Sequence, residues 1–459
     1  MAVQTGSRPD SLLGRAIREG IIAGLVALGL FCLIIGFKTE QDINNQLVLI
    51  QRWGLLAVMV AIAAIGRFGF VVLIQPWLES RKLAKGKPLP AATGDVSFFR
   101  RHFSSLGVAF LFVYPIIIVA IYGWQGSLKG VDNFGVQILI YVMLAWGLNI
   151  VVGLAGLLDL GYVAFYAVGA YSYAILSSYF GFSFWVLLPM AGILAATWGV
   201  ILGFPVLRLR GDYLAIVTLA FGEIIRLVLV NWTDLTRGTF GISGIAKATF
   251  FGLPFKAGPD GFAAHMGVTF SPAHYKFFLY YVILLLALLT AWVTIRLRRM
   301  PVGRAWEALR EDEIACRSLG INTTTTKLTA FATGAMFGGF AGSFFAARQG
   351  FVSPESFIFI ESAMVLAIVV LGGMGSLIGI AIAAIVMIGG TELLRYLDFL
   401  KLIFGPDFTP EQYRMLIFGL AMVIAMVLKP RGFVGSREPS AFLNEKKMVS
   451  GAFTKEGHG

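Results

Sequence analysis

The chain has 459 residues, of which 58% are hydrophobic and only 14% are charged, and its formal net charge is +12. Runs of about twenty apolar residues match a hydrocarbon core roughly 30 Å thick, so this composition excludes an ordinary soluble domain. A transmembrane β-barrel would instead show short alternating segments. In a membrane protein, excess Lys and Arg report topology rather than nucleic-acid binding. We therefore predict an all-α polytopic membrane protein that contacts lipid and no nucleic acid.

About eleven or twelve hydrophobic segments follow one another along the chain. The first is preceded by Arg15 and Arg18 and is apolar from Ile21, and no small-x-small cleavage site follows Phe37, which favours a retained span over a signal peptide. The apolar runs lie near 19–37, 53–75, 104–123, 134–157, 160–180, 184–206, 212–232, 278–297, 327–347, 358–371, 377–395 and 412–429.

Loop charges divide and orient the chain. The basic loop residues are Arg81, Lys82, Lys85, Lys87, Arg100 and Arg101, then Arg208 and Arg210, then Arg298 and Arg299, and finally Lys429, Arg431 and Arg437. The positive-inside rule places these loops and both termini in the cytoplasm. We predict two spans and a basic loop within 1–103, a core at 104–435 and a cytoplasmic tail at 436–459; the family resemblance given below implies that 1–103 is an N-terminal extension.

Six charged residues lie within or beside the apolar runs, and such residues are functional candidates by default. They are Asp159, Asp212, Glu223, Arg226, Glu361 and Glu392. Glu223 and Arg226 are three residues apart on one predicted helix, so a structural ion pair is favoured over a substrate role, which stays open. Asp159 and Asp212 are interpreted as residues at span boundaries.

The longest predicted external loop spans residues 233–275. It is rich in Gly, Pro and Phe and contains little obvious helix. Loops of this length are often functional, and the aromatic residues argue against a disordered spacer.

A polar block at 298–326 interrupts the apolar sequence, with nine charges between Arg298 and Arg317. Each charge would cost roughly 2.5–3.5 kcal/mol at the centre of a membrane helix, so the block is an aqueous loop. Pro301 ends the preceding helix and Gly320 is placed to close the next one. A single short amphipathic helix is predicted between them, with Asp312 interrupting its apolar stripe. That stripe comprises Ala305, Ala308, Leu309, Ala315, Cys316 and Leu319, and the predicted ion pairs are Glu307 with Arg310 and Glu313 with Arg317. An ordinary solvated loop is the alternative.

The apolar run at 358–395 is broken by the sequence LGGMGS. Gly372, Gly373, Gly375 and Ser376 allow a tight turn or an unwound segment there. The first part is then only about fourteen residues long, which is typical of a broken or half-spanning helix that lines a cavity. These four residues are therefore candidates for lining such a cavity or pathway.

Sequence patterns that bind cofactors or carry catalysis are missing. The chain contains no G-x-x-x-x-G-K-[ST] phosphate loop and no G-x-S-x-G nucleophile elbow, and its four histidines are scattered. Cys32 and Cys316 cannot form a disulfide framework. We predict no enzyme activity, no cofactor and no metal site.

The polar block, GRAWEALREDEIACRSLGI, resembles the cytoplasmic coupling loop of ABC importer permeases. Further blocks in the same order (141–171, 203–226, 327–357 and 365–376) resemble the LivM-type permease subunits of high-affinity branched-chain amino acid importers. In that family the coupling loop meets the ATPase, and its pattern is matched here by Gly303, Arg304, Glu307, Ala308, Arg310, Glu311, Glu313, Gly320 and Ile321. One departure is Arg237, which lies where family members often carry TGGxxGI.

The resemblance implies an ATP-driven importer of leucine, isoleucine, valine or related hydrophobic amino acids in the bacterial inner membrane. Its partners would be two ABC ATPase subunits, a second related permease and a periplasmic amino-acid-binding protein. A secondary transporter driven by an ion gradient and a membrane scaffold without transport remain the alternatives. The sequence leaves open which amino acids are carried and whether the permeases form a homodimer or a heterodimer.

Overall fold

The computed structural model describes residues 12–34, 36–41, 47–76, 98–206, 209, 211–394, 414–429 and 432–434. The basic residues predicted in the loop at 79–97, Arg208, Arg210 and the tail at 436–459 lie outside the described residues. The chain divides into two compact units, Met1–His102 and Phe103–Gly459.

The first unit is a helical pair joined by a β-hairpin. Helix α1 spans Leu12–Ile34 and α2 spans Trp53–Gly69, continuing into a π-helical turn, Phe70–Ile74. Strands β1 (Phe37–Gln41) and β2 (Leu47–Gln51) pair antiparallel between them, whereas the sequence predicted only a connection. Gly24 of α1 faces α2, where an added Cβ would lie 3.4 Å from the Ala64 Cβ, and this close approach is how small residues pack membrane helices.

The second unit is mainly helical, its first helix begins at Phe98 just before the unit boundary, and its described residues include one pair of two-residue strands. Its helices are α3 (Phe98–Lys129), α4 (Gln137–Asn149), α5 (Val163–Phe180), α6 (Phe184–Val206), α7 (Asp212–Asn231), α8 (Thr233–Thr236), α9 (Phe262–His265), α10 (Pro272–Arg299), α11 (Pro301–Glu311), α12 (Glu313–Ser318), α13 (Thr323–Gln349), α14 (Phe359–Gly372), α15 (Leu377–Ala384), α16 (Gly390–Leu394) and α17 (Arg414–Leu428). Strands β3 (Ile242–Ser243) and β4 (Phe351–Val352) pair antiparallel. Seven of the described helical stretches are long and apolar enough to cross a membrane, and two shorter apolar helices follow. The predicted all-α polytopic fold is confirmed.

Helix α13 lies at the centre of this unit and packs against α4, α5 and α6. Its glycines allow the contact: a Cβ at Gly342 would lie 2.1 Å from the Tyr166 carbonyl oxygen, and one at Gly339 would lie 2.5 Å from the Ala195 Cβ. In lipid, helix association depends on this kind of backbone approach, because apolar burial alone supplies little driving force.

Irregular backbone enters the bundle between α4 and α5. Helix α4 continues through a π-helical turn to Leu154, but α5 begins only at Val163. The Tyr162 hydroxyl donates to the Gly334 carbonyl (2.8 Å), which lies roughly 16 Å along α13 from its start. Residues 155–162 therefore rise into the bundle without helix, which membrane proteins tolerate only inside protein or along a cavity.

The two aspartates interpreted as boundary residues behave differently. Asp212 is exposed at the first position of α7, so that prediction is confirmed. Asp159 lies within the irregular stretch and is only 1% exposed, and its Oδ1 accepts from the Gly161 amide (2.9 Å). Asp159 does lie between the end of one helix and the start of the next, but it is buried. Hydropathy along the chain does not register that an irregular segment turns back into the protein.

The loop at 233–275 is folded, as its aromatic content suggested. It contains α8, a 3₁₀ turn, β3 and α9, and Phe255 packs against Phe262, Tyr275 and Phe278 with ring centroids 4.9–5.5 Å apart. Arg237, where the sequence departs from the family pattern, adopts a left-handed backbone with φ 60°.

Candidate functional site

The polar block folds into two short helices, α11 and α12, rather than the single helix predicted. Pro301 occupies the first turn of α11, as expected after the end of α10. Asp312 breaks the helix because it is extended (φ −157°, ψ 115°) and its Oδ1 accepts from the amides of Ile314 and Ala315 at 2.7 and 3.0 Å. The aspartate that seemed to interrupt a stripe is an N-cap for the second helix. Gly320 has φ 81°, the left-handed conformation that its position predicted.

The face that anchors the block is narrower than the predicted stripe. Leu309 and Cys316 are buried, whereas Leu319 is 80% exposed and Ala315 is also exposed. Trp306, absent from the predicted stripe, is 1% exposed and donates from Nε1 to the Thr326 carbonyl (3.1 Å). The break at Asp312 resets the helical register, so positions spaced for one helix no longer share a face. Burial, together with the Asp312 and Glu313 carboxylates, raises the pKa of the Cys316 thiol.

Ion pairs tie the block to the membrane helices on both sides. Glu313 accepts from Arg317 (2.8 Å), as predicted, and also from the buried Lys327 Nζ of α13 (3.0 Å). Glu307 pairs with Arg298 of α10 (2.6 Å) rather than with Arg310. Because burying a charge is costly unless it is paired, these contacts fix the block against the bundle.

The run at 358–395 is split as predicted. Helix α14 ends after fourteen residues at Gly372, and Gly373 and Gly375 have φ 100° and 95°. Ser376 caps α15 by accepting from the Gly379 amide (3.1 Å). An added Cβ at Gly372 would lie 2.5 Å from the Ile380 Cα, so the two arms meet backbone to backbone.

The polar block and this helix break converge on the irregular backbone after α4. Arg310 Nη1 donates to the Gly153 carbonyl, and a Cβ at Gly375 would lie 3.9 Å from that same nitrogen. The Gly375 amide donates to Asn149 Oδ1 (2.8 Å). Thus one guanidinium outside the apolar core touches the end of α4 beside the turn between α14 and α15. These contacts join α11 to both membrane elements.

A short segment beyond α17, residues 432–434, packs against the turn between α14 and α15. The Phe433 amide donates to the Leu371 carbonyl (2.9 Å), and a Cβ at Gly432 would lie 2.5 Å from the Gly373 Cα. The sequence reasoning missed this segment, together with Asn149 and Gly153. The available signal was a polar residue and closely spaced glycines inside an otherwise apolar run.

Two candidates from the sequence lie elsewhere. Arg226 Nη2 bonds Glu223 Oε1 (2.6 Å), and Arg226 Nη1 reaches Glu355 Oε1 (3.4 Å) near the start of α14. The Glu355 side chain is 64% exposed. This geometry favours the structural pairing of Glu223 with Arg226.

The remaining residues of the coupling pattern differ in exposure. Arg304, Glu311 and Gly320 are exposed, while Gly303 is buried where a Cβ would lie 2.3 Å from the Leu297 carbonyl oxygen. Beside them, Ile314 is 68% exposed, an apolar side chain that the motif does not include. The block therefore has one face that anchors it and another with mixed charged and apolar character.

A cysteine at Met374 tests which side of the membrane carries the helix break. Met374 lies in the turn and is 41% exposed, unlike Ser376, which caps a helix. We expect Met374→Cys, in a protein otherwise free of cysteine, to react with a membrane-impermeant thiol reagent only from the side that carries the polar block. The control Ile314→Cys, within the block, should label from that same side. Labelling of the two cysteines from opposite sides would contradict the arrangement.

The described residues form a bundle of helices that are long and apolar enough to cross a membrane. Irregular backbone lies inside this bundle between α4 and α5, and the helix pair α11 and α12 contacts it. This arrangement is typical of a membrane transport subunit of the permease type. A family model described as the permease component of branched-chain amino acid transport systems matches residues 130–426, and the chain belongs to that family. A second model, described as a domain of unknown function, matches residues 15–114. The chain is a transport subunit and not an enzyme.

Curated relatives agree with this assignment. The chain is 52% identical to the high-affinity branched-chain amino acid transport system permease protein LivM of Salmonella typhimurium, over 72% of this chain and 76% of the relative. It is also 52% identical to LivM of Escherichia coli, over 74% and 77% of the two chains. The LivH permease protein of Salmonella typhimurium is 24% identical, over 65% of this chain and 92% of its own. No solved structure matches the chain significantly.

Proposed function

We propose that this chain is one of two permease subunits in an ATP-driven importer of branched-chain or related hydrophobic amino acids. Its similarity to LivM proteins over about three quarters of their length supports the substrate class. The weaker similarity to LivH supports a related but distinct sister permease, and hence a heterodimer. The observation that supports coupling most directly is the contact of Arg310 with Gly153, because it joins the polar block to the irregular backbone after α4.

The energy source is assigned to partner chains. The sequence contains no phosphate-binding loop, so two ABC ATPase subunits are proposed to supply ATP hydrolysis and a periplasmic binding protein to deliver the amino acid. The exposed residues Arg304, Glu311 and Gly320, with Ile314 and Leu319 beside them, form the proposed ATPase contact. The other pattern residues are proposed to position this contact surface and to link it to the membrane helices. They are Gly303, Glu307, Ala308, Arg310, Glu313 and Ile321.

The proposed location is the bacterial inner membrane with both termini in the cytoplasm. This orientation puts the polar block and its basic flank, Arg298 and Arg299, on the positively charged side expected for cytoplasmic loops. Residues 1–103 are proposed to be an extension to a transport core at 104–435, in keeping with the separate family models that match the two regions.

Reconstitution of the complex tests the proposal. The tagged chain should co-purify with two ATPases and a second permease, and proteoliposomes holding the complex and its binding protein should take up leucine only with ATP. Uptake that persists without the ATPases and collapses with an uncoupler would establish the ion-driven alternative. A correctly inserted chain with no uptake under either condition would favour the scaffold alternative.

A further inference from the structure

A second site lies at the other end of the bundle from the polar block. A cavity of about 540 Å³ is bounded by α4, α13, α14, the π-helical turn after α15, α16 and α17. Helix α13 starts beside the polar block and runs for roughly 40 Å before it reaches this cavity at Arg348. The volume lies within the 300–1,000 Å³ that is typical of small-molecule sites.

On one wall of the cavity Arg348 is paired with Asp132, and a second cation, Lys276, lies behind the lining. Asp132 Oδ1 accepts from Arg348 Nε (2.8 Å), and its Oδ2 accepts from Lys276 Nζ (2.9 Å) behind the wall. Two cations thus share one carboxylate. The Arg348 side chain is only 8% exposed, and a buried charge is costly unless it is paired, so the Asp132 carboxylate stabilises the guanidinium at the cavity wall.

Two acidic groups lie elsewhere in the cavity lining, which also includes uncharged polar residues such as Gln137, Gln349 and Thr391. Glu361, in the first turn of α14, accepts from the Tyr141 hydroxyl (2.6 Å), and Glu392 of α16 is 7% exposed. Both carboxylates line the same cavity as Arg348. A ligand that carries both an ammonium and a carboxylate group would complement this division of charge, whereas a simple anion or cation would match only one part.

A further part of the lining is apolar and adaptable. Met364, Met387, Ile388 and Met422 contribute aliphatic and thioether surface to the cavity. Methionine side chains are unbranched and flexible, so they fit aliphatic groups of different shape. A surface of this kind accepts several related apolar side chains rather than selecting one.

We propose that this cavity is a transit site for a zwitterionic aliphatic amino acid within the permease. Glu361 and Glu392 receive the α-ammonium group, Arg348 receives the α-carboxylate, and the methionine-rich wall receives the side chain. The assignment rests on the proposed transport function and adds to it the residues that hold the substrate after its release into the membrane subunit.

The test uses the complete transporter with its ATPases and binding protein, and a photoreactive diazirine analogue of leucine as the probe. During ATP-driven turnover, illumination should label segments 363–367 or 387–388, and excess leucine should suppress this labelling. In Glu361→Gln and in Arg348→Gln the labelling should fall on the order of tenfold, because each variant removes one charged hydrogen-bond partner. Glu355→Gln is the matched control, since Glu355 does not line the cavity.

Competition separates a binding role from a structural one. Leucine should compete better than leucinamide, which lacks the carboxylate, and Arg348→Gln should remove that advantage. Leucine should likewise compete better than its α-keto acid, which lacks the ammonium group, and Glu361→Gln should remove that preference. A general loss of folding would not change these ratios selectively.

Two further outcomes are distinct. If wild-type uptake proceeds but the label falls only on other segments, or is equal in all variants, the cavity assignment is overturned and the proposed function stands. If the wild-type complex shows no ATP-driven leucine uptake, the proposed function itself fails.

Discussion

Replacing Arg310 with alanine should reduce ATP-driven leucine uptake by at least about tenfold while the protein remains inserted and assembled. The expected size follows from the loss of a charged hydrogen bond, typically about 1.5–3 kcal/mol, between the Arg310 guanidinium and the Gly153 carbonyl. Without it, α11 loses its direct polar contact with the end of α4. Uptake into proteoliposomes measures the effect, and co-purification of the ATPases verifies assembly.

Two companion variants sharpen this prediction. Arg310→Lys keeps the positive charge but lacks the planar guanidinium fork, so we expect only partial recovery. Arg299→Ala removes an exposed positive charge from the end of α10, outside the coupling pattern, and should leave uptake near the wild-type level. If Arg310→Ala transports as well as Arg299→Ala, the proposed link between the polar block and the helix break is wrong.

Features that depend on local backbone preference could be predicted from the sequence. Pro301 starts a helix, Gly320 takes the left-handed position, and the glycines at 372–375 break an apolar run, because each restricts or permits dihedral angles at its own position. Their physics acts over a few residues, so neighbouring sequence is sufficient to recognise it.

Two kinds of feature could not be predicted: how deeply a segment lies in the bundle, and which residues far apart in the sequence contact each other. The predicted apolar runs end at 157 and resume at 160, but the irregular stretch extends over 155–162, and hydrophobic periodicity does not distinguish a buried irregular segment from a buried helix. Arg310 and Gly153 are 157 residues apart, and no local pattern pairs them. The predicted ion pair of Glu307 with Arg310 does not form for the same reason, because Arg298 of another helix pairs with Glu307 instead.

The cavity shows a third kind of limit. Glu361 and Glu392 stood out in the sequence because they interrupt apolar runs, but Asp132 and Arg348 lie near the ends of such runs, where charges are ordinary. Only the fold brings Asp132 and Arg348, 216 residues apart, within 2.8 Å of each other. Single charges in an apolar sequence identify candidate site residues. Their arrangement around one cavity depends on the folded bundle.

Gly372→Ala should both destabilise the protein and stop transport. The added methyl would lie 2.5 Å from the Ile380 Cα and 2.6 Å from its amide nitrogen, and rotation of a side chain cannot relieve contacts with backbone. Overpacking typically costs about 1–3 kcal/mol and more where backbone must shift, so we expect a loss of at least about 2 kcal/mol. The midpoint of thermal unfolding in detergent measures stability. Gly107→Ala is the control, because no atom lies within 4 Å of its Cβ.

The partner glycine makes this prediction specific to the turn. A Cβ at Gly379 would lie 2.1 Å from the Gly372 carbonyl oxygen, so Gly379→Ala pushes apart the same two arms. Once α14 and α15 have separated, the second methyl meets a gap rather than backbone, and the double variant should be less destabilised than the sum of the single variants. Full additivity would mean that the two methyl groups are accommodated independently. Additivity would therefore contradict the idea that close packing of α14 against α15 positions the Gly375 amide for its hydrogen bond to Asn149.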